Sequence, residues 1–462
     1  MNPSGQDNVL STANVKTLLR QLAIPAITAQ VVNVLYNVVD RMYIGHIPDI
    51  GALALTGVGV CMPIIMLITA FAALVSMGSA PRASVLMGRG DNEEAHYTLG
   101  NSFIMLIIIA LVLTVFFRRF AEPILMAFGA SENTIGYAMD YMRIYTLGTI
   151  FVQFALGLNA FITAQGFAKI SMATVVIGAV INIVLDPIFI FGFHMGVKGA
   201  ALATILSQAV SAIWVLRFLT GKKTILKLQK KYFRLRGSVV GPCLLLGMSP
   251  FIMQATESAI SVCFNSSLYR YGGDIAVGSM SILTSIMQFS MLPLQGFTQG
   301  AQPITGYNFG AGNADRVRQT FRLLLRYCLT YSLILWAICM VVPRLIPSMF
   351  TGDEQLLTYT AWALRHYMAL SGIFGIQIAC QQTFIAIGNA KTSLFLAVYR
   401  KIILLIPLIY ILPAILEQKD RAVFLAEPVA DMIAVTTTAI MFAYQFKNAM
   451  KKLEAGKKPA EA

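Results

Sequence analysis

The sequence predicts an all-α integral membrane protein of twelve transmembrane helices arranged as two pseudo-symmetric six-helix bundles. Three observations carry that prediction. Of 462 residues, 57% are hydrophobic and only 12% are charged, with a mean hydropathy of +0.70, a balance foreign to soluble domains. Apolar runs recur near 20–45, 53–80, 100–117, 134–162, 171–193 and 199–219, and again near 239–268, 275–299, 323–342, 357–386, 394–415 and 422–446. Each is close to or above the roughly 18–20 residues that cross hydrocarbon as a helix. Finally, the two sets repeat one another at a constant separation of 222 residues. Pro81, Gly88 and Gly90 match Pro303, Gly310 and Gly312; Phe128, Tyr137, Arg143 and Tyr145 match Phe350, Tyr359, Arg365 and Tyr367; Gly166, Ala168 and Lys169 match Gly388, Ala390 and Lys391.

A fixed offset held over so long a stretch marks a duplicated unit. The expected organisation is a lead-in at 1–16, an N-lobe at 17–220, a basic linker at 221–237, a C-lobe at 238–446 and a tail at 447–462. Six crossings return the chain to its starting side, so the repeats are parallel, and transporter halves of that kind handle cargo between them by rocking. The first span begins with Pro25 in its opening turns, where a missing amide is best tolerated. The sequences GSAPRASVLMGRGDNEEA from Gly78 and GAQPITGYNFGAGNADRV from Gly300 read as matching loops. Asp140 is placed to pair with Arg143 at i, i+3.

The net charge of +14 invites a nucleic-acid reading, but its distribution argues for topology. With the N-terminus in the cytoplasm, most Lys and Arg fall in loops and tails on that side. Both termini are therefore expected in the cytoplasm, in a multi-pass protein of the plasma membrane. The linker carries Lys222, Lys223, Lys227, Lys230, Lys231 and Arg234 with no acid, and it reads as a tether that meets anionic headgroups. No nucleic-acid partner is expected; the lipid bilayer is. Six cysteines scattered through apolar helices, with no CxxC, read as core residues. No removable leader is expected before Ile24. A phosphate-binding G-x-x-x-x-G-K-[ST] loop and an HExxH motif are both absent, which argues against an ATP-driven pump and a zinc hydrolase. An enzyme is not expected, nor a cofactor, and a monomer is.

The chemistry sits in acids placed inside apolar helices. In the first span Asn33, Tyr36, Asn37 and Asp40 share one polar stripe. In the fifth, Asn182 and Asp186 stand four residues apart on one face, and Pro187 frees a carbonyl one turn back. An acid in a membrane helix marks a functional site by default. Two such carboxylates, were they to share one dry pocket, could not both ionise cheaply, and one would hold a proton or meet an alkali cation.

The paired PxxxxxxGxG stretches, the VVDxxxIG run ending at Gly45 and INIVLDPIFIFG from Ile181 to Gly192 together resemble the MATE family of multidrug and toxic-compound extruders, most of all its MepA-like and DinF-like branches. The resemblance covers nearly the whole chain. It implies a V-shaped pair of lobes with alternating access, exporting amphiphilic organic cations in exchange for protons or sodium ions. Carried over residue by residue, the ion-coupling site falls on Asp40, Asn182 and Asp186. Protons are the favoured coupling ion, and Na+ on the same three residues is the alternative.

In the C-lobe, Glu257 matches the family's seventh-helix glutamate, with Gln254 one turn away. Where some members place an aspartate in helix ten, this chain has Cys380, Gln381 and Gln382, so a second cation site is not expected. Tyr36, Asn37, Gln254, Glu257, Gln288 and Asp431 are the candidates for contact with cargo or protons. Glu427 stands one turn before Asp431. Met280, Met287 and Met291, on one face of helix eight, face a neighbour or lipid before they face cargo. The rival reading is a lipid-linked oligosaccharide flippase of the same superfamily. Such a protein meets anionic pyrophosphate, and the charges read as lying in mid-membrane here are the acids Asp40, Asp186 and Glu257.

Overall fold

The computed structural model describes residues 9–456, helical almost throughout. Residues 1–8 of the expected lead-in and 457–462 of the expected tail lie outside the described residues. Helices α1 (Val15–Gly45), α2 (Gly51–Gly88), α3 (Asn92–Ala127), α5 (Ala168–Gly192) and α6 (Val197–Leu219) are each long and apolar enough to span a bilayer, as are α9 (Ala314–Val341), α11 (Ala390–Ile415) and α12 (Lys419–Glu454). Two spans are bent pairs: α4 (Ile135–Leu147 with Thr149–Ala164, 59°) and α10 (Glu354–Tyr367 with Ser371–Ala386, 49°).

The remaining segment, Gly237–Gly310, runs for 74 residues, about 110 Å at helical rise and far more than one crossing. Gly273 divides it, with φ 65° and ψ −161°, a backbone state that side chains other than hydrogen exclude. The two arms, 237–272 and 274–310, are α7 and α8. Counted this way the apolar spans among the described residues are twelve, as the hydropathy pattern predicts.

The PxxxxxxGxG stretches are corrected from loop to helix. α2 runs through Pro81 to Gly88, and α8 runs through Pro303 to Gly310. Their glycines serve packing as well as turning. A Cβ on Gly88 would strike the Tyr307 carbonyl, and one on Gly310 would strike that of Val85. Val85 and Tyr307 are themselves 222 residues apart, so the two helices cross about a pseudo-dyad. Two further close approaches follow the same pattern: Gly78 of α2 lies on Cys243 of α7, and Gly300 of α8 lies on Ala23 of α1. Small residues let backbones meet where lipid offers no hydrophobic drive to bring helices together.

One core cluster spans both lobes, from Leu10, Leu19 and Met87 to Ile304, Tyr307 and Leu324, and it includes Leu226 of the linker. The other two large clusters stay within one lobe each, around Ile64 and Phe117 or around Phe264 and Phe424. The lobes are therefore joined at the end that carries the N-terminal segment and the linker. Phe71 of α2 and Phe251 of α7, with ring centroids 5.0 Å apart, bridge them partway along.

The linker is not the loose tether expected from its charge. The Oε1 of Gln165 accepts hydrogen bonds from the amides of Ile225 and Leu226 and from the Thr224 hydroxyl, at 2.8–2.9 Å. Asn101 accepts from the Arg236 amide at 2.7 Å and donates to the Arg234 carbonyl at 3.1 Å. Tyr232 packs edge-on to Tyr97, over which the Arg236 guanidinium also lies. Asp140 is likewise corrected: its ion pair is with Lys198 of α6, 3.5 Å away, across helices instead of along one.

Candidate functional site

α1 has two different neighbours along its length. Its first half lies on the C-lobe, where Gly296 and Gly300 of α8 accept Ile27 and Ala23 without room for a Cβ. Its second half, bearing the polar stripe, packs on α5 of its own lobe. That contact brings Asp40 to Asn182 and Asp186, which the sequence could only pair by analogy.

All three residues are buried, Asn182 and Asp186 completely. The Asn182 amide donates to Asp186 Oδ1 at 3.3 Å, and the carboxyl groups of Asp40 and Asp186 stand within hydrogen-bonding reach of each other. Among the described residues, Asp40 Oδ1, Asn182 Oδ1 and Asp186 Oδ2 are buried without a donor. Buried oxygens in that state are rare, because each forfeits its hydration without return. Three on neighbouring side chains make a set of hard acceptors suited to a proton shared between carboxylates or to an alkali cation.

Two residues that sequence reasoning missed complete the pocket. Thr204 of α6 offers its Oγ1 to the Asn182 amide at 3.5 Å, and it shares a hydrogen bond with Tyr141 of α4. A threonine in an apolar helix carries no signal of its own, since most simply bond back to their own turn. Tyr36 lies beside Asp40 and Asn37, while the Asn37 side chain bonds back to the Asn33 carbonyl at 2.6 Å.

The C-lobe candidates are arranged differently. α11 contains a π-helical stretch, Tyr399–Leu405, just before Pro407, whose ring and missing amide disrupt the preceding turn. Arg400 and Lys401 lie in this stretch, both buried. The reading that mid-membrane charge is acidic alone is thus corrected. Arg400 Nε donates to Asp431 Oδ1 at 2.8 Å, and its Nη2 donates to Glu427 Oε1 at 2.7 Å. The guanidinium lies 4.7 Å from the Phe374 ring centroid. Asp431 and Glu427 are therefore members of a closed three-residue network, and neither stands open to cargo as a free acid. Glu427 is buried in that network instead of at a mouth.

Glu257 of α7 is held by Lys401, Nζ to Oε2 2.8 Å, with the carboxylate side chain 52% exposed and the lysine 10%. Gln254 and Gln288 are exposed. Met280 packs in the C-lobe core, and Met287 and Met291 face a small recess inside that lobe with Tyr331 and Phe374. No group of three or more His, Cys, Asp or Glu with metal-binding geometry occurs among the described residues.

The MatE family model matches residues 25–188 and 250–411, one segment in each lobe. The chain is 26% identical over 401 residues to the multidrug export protein MepA of Staphylococcus haemolyticus, covering 85% of this chain and 86% of that protein. It is 23% identical over 400 residues to the protein of the same name from Staphylococcus aureus, at 86% and 87% coverage. Among solved structures, a MATE protein in its bent conformation superposes with a TM-score of 0.91 at 23% identity, over 98% of this chain and 99% of that one. A MOP superfamily transporter from Pyrococcus furiosus, described by the reverse polarity of its binding pocket, superposes at 0.89 and 23% identity over 97% and 99%. These likenesses establish the fold, and the two-part family match establishes the kinship: the chain is a multi-pass membrane transporter belonging to the MatE family.

Proposed function

We propose that this transporter exports amphiphilic, cationic drugs or toxic compounds across the plasma membrane by antiport with protons, with sodium as the alternative coupling ion and no cofactor. The observation that carries the reading is the set of three unpartnered buried oxygens on Asp40, Asn182 and Asp186. A pocket of that kind is stable only when a proton or cation supplies what the protein withholds. Thr204, Asn182 and the two acids would hold the ion; the ion would neutralise the pocket.

Coupling to cargo follows from the path of α1. The helix that bears Asp40 is the same one that lies against Gly296 and Gly300 of the C-lobe. Charging or neutralising Asp40 changes the cost of its burial, and the helix can answer by moving at the interlobe contact. A proton entering along the membrane potential contributes about 2.3 kcal/mol per 100 mV, which an electroneutral exchange forgoes. The staphylococcal relatives are multidrug export proteins, which supports drugs as the cargo. Both termini in the cytoplasm fit the charge bias of the loops, and a monomer is the proposed unit.

The test is export of an ethidium-like cation from an efflux-deficient host. Asp40→Asn and Asp186→Asn should each lower export at least tenfold, about 1.4 kcal/mol or more of lost coupling. Undiminished export in both would end the N-lobe reading. Collapse by an uncoupler, compared with the effect of removing sodium, identifies the ion.

Arg400 and Lys401 lend the flippase reading its one supporting observation, since anionic headgroups call for bases. Arg400, however, is saturated by two acids, and together with the Lys401–Glu257 pair these five side chains sum to one formal negative charge. Drug export remains the better supported reading.

A further inference from the structure

We propose that the segment 9–13, which leads into α1, is an interlobe latch: it fastens the two lobes at their joined end and lets go when that end opens. The proposal rests on the export reading above only in taking the lobes to part there during the transport cycle.

Leu10 is gripped from both sides. Its carbonyl accepts from the Asn308 amide of α8 at 2.9 Å and from Arg316 Nη2 of α9 at 3.1 Å, which docks its backbone on the C-lobe. Its side chain is buried against the N-lobe, where a Cβ on Gly166, between α4 and α5, would come within 3.5 Å of Leu10 Cδ2. Arg316 Nη2 also donates to the Ala13 carbonyl at 2.8 Å, and its Nε donates to Asn308 Oδ1 at 3.1 Å. Residues 9–12 form a single helical turn, too short to be stable by itself. The guanidinium at its end supplies donors to carbonyls that the turn leaves free. The turn thus keeps its shape through two docks, one on each lobe.

The internal duplication supplies a control. At the offset of 222, Leu10 answers to Tyr232, Gly166 to Gly388 and Arg316 to Glu94. The linker that leads into α7 is fastened by the same kind of bond, the Asn101 amide donating to the Tyr232 carbonyl at 3.4 Å. There the likeness ends. The Tyr232 carbonyl rests on Asn101 and its ring on Tyr97, both of α3 in the N-lobe, and a Cβ on Gly388 would meet nothing within 4 Å. Gln165 fixes the other end of the linker to that same lobe. The linker therefore rides with one lobe, whereas segment 9–13 straps one lobe to the other. Parting the lobes leaves the linker's bonds intact and has to break one dock of the segment.

The experiment uses the full-length transporter and reads Cys243, a native cysteine fully buried where α7 meets Gly78 of α2. Its rate of labelling by a maleimide, resolved by peptide mapping, reports parting of the lobes at the joined end. Cys339, in the C-lobe core, reports loosened folding. Arg316→Gln should raise the Cys243 rate about tenfold or more, the shift expected when a hydrogen bond from a charged group is lost. Leu10→Ala empties the other dock and should do the same, and it carries the test if Arg316→Gln does not fold. Cys339 should keep its rate in both. Arg236→Gln, which cuts the linker's ion pair to Glu94, should leave Cys243 as it is. An unchanged Cys243 rate in either latch variant, an equal rise at Cys339, or an equal rise in Arg236→Gln would overturn the latch. Labelling needs neither cargo nor coupling ion, so the latch can fail with cation export intact. Undiminished export in Asp40→Asn and Asp186→Asn would likewise leave the labelling result standing.

Discussion

Asn182 and Asp186 are joined at 3.3 Å across one turn of α5, and the bond leaves an oxygen of each facing an unfilled need for a donor. Thr204 approaches the same amide from α6. Thr204→Val, which keeps shape and removes the hydroxyl, should lower export several-fold, about 1 kcal/mol for a single neutral hydrogen bond. Thr204→Ser should restore most of it. Dye efflux at matched expression measures both, and equal export by the valine and parent proteins would remove Thr204 from the pocket.

The Arg400 network should behave as a structural unit. Arg400→Met leaves Glu427 and Asp431 buried and unpaired, and is expected to destabilise the C-lobe by about 3–5 kcal/mol. Adding Glu427→Gln and Asp431→Asn to that variant should recover most of the loss, because the stranded charges go with their partner. Thermal melting in detergent distinguishes the two; a triple variant no more stable than the single one would show that the network is not self-contained.

The crossing of α2 and α8 makes opposite demands on similar residues. Gly88→Leu and Gly310→Leu each drive a side chain into the partner backbone and should sharply reduce folded yield. Gly59, on an exposed part of α2 with nothing within 4 Å of its would-be Cβ, should accept alanine with a gain of up to about 1 kcal/mol from helix propensity. Size-exclusion profiles of the three variants suffice to compare them.

Gln165 holds the linker by accepting three hydrogen bonds on one oxygen. Gln165→Leu should release it, leaving Lys222, Lys223 and Lys227 open to trypsin. Faster cleavage at those sites, with the transmembrane halves still associated, is the expected outcome, and an unchanged digestion rate would place the anchoring elsewhere.

Much of this molecule is legible in its residues alone. Spans follow from hydropathy because hydrocarbon imposes a minimum apolar length on a helix. The duplication follows from a constant offset, and the stripe of Asn33, Tyr36, Asn37 and Asp40 follows from a helical period. Each is a property of residues near one another in sequence, or of two stretches compared letter by letter.

What remained hidden depends on contacts between helices. Period and composition fix which face a side chain occupies but not what that face meets. Thr204 and Tyr141 looked like ordinary membrane polar residues until packing set them beside Asn182. Arg400 and Lys401 stood in plain view within an apolar run, yet only the π-helical turn and the positions of α7 and α12 decided that one base would be locked and its neighbour paired with a half-exposed acid. The sequence alone determined that acids lie in oil, in a doubled bundle. Tertiary structure decided which of them keep unpaired oxygens and which are neutralised, because in a low-dielectric interior a charge is defined by its partner.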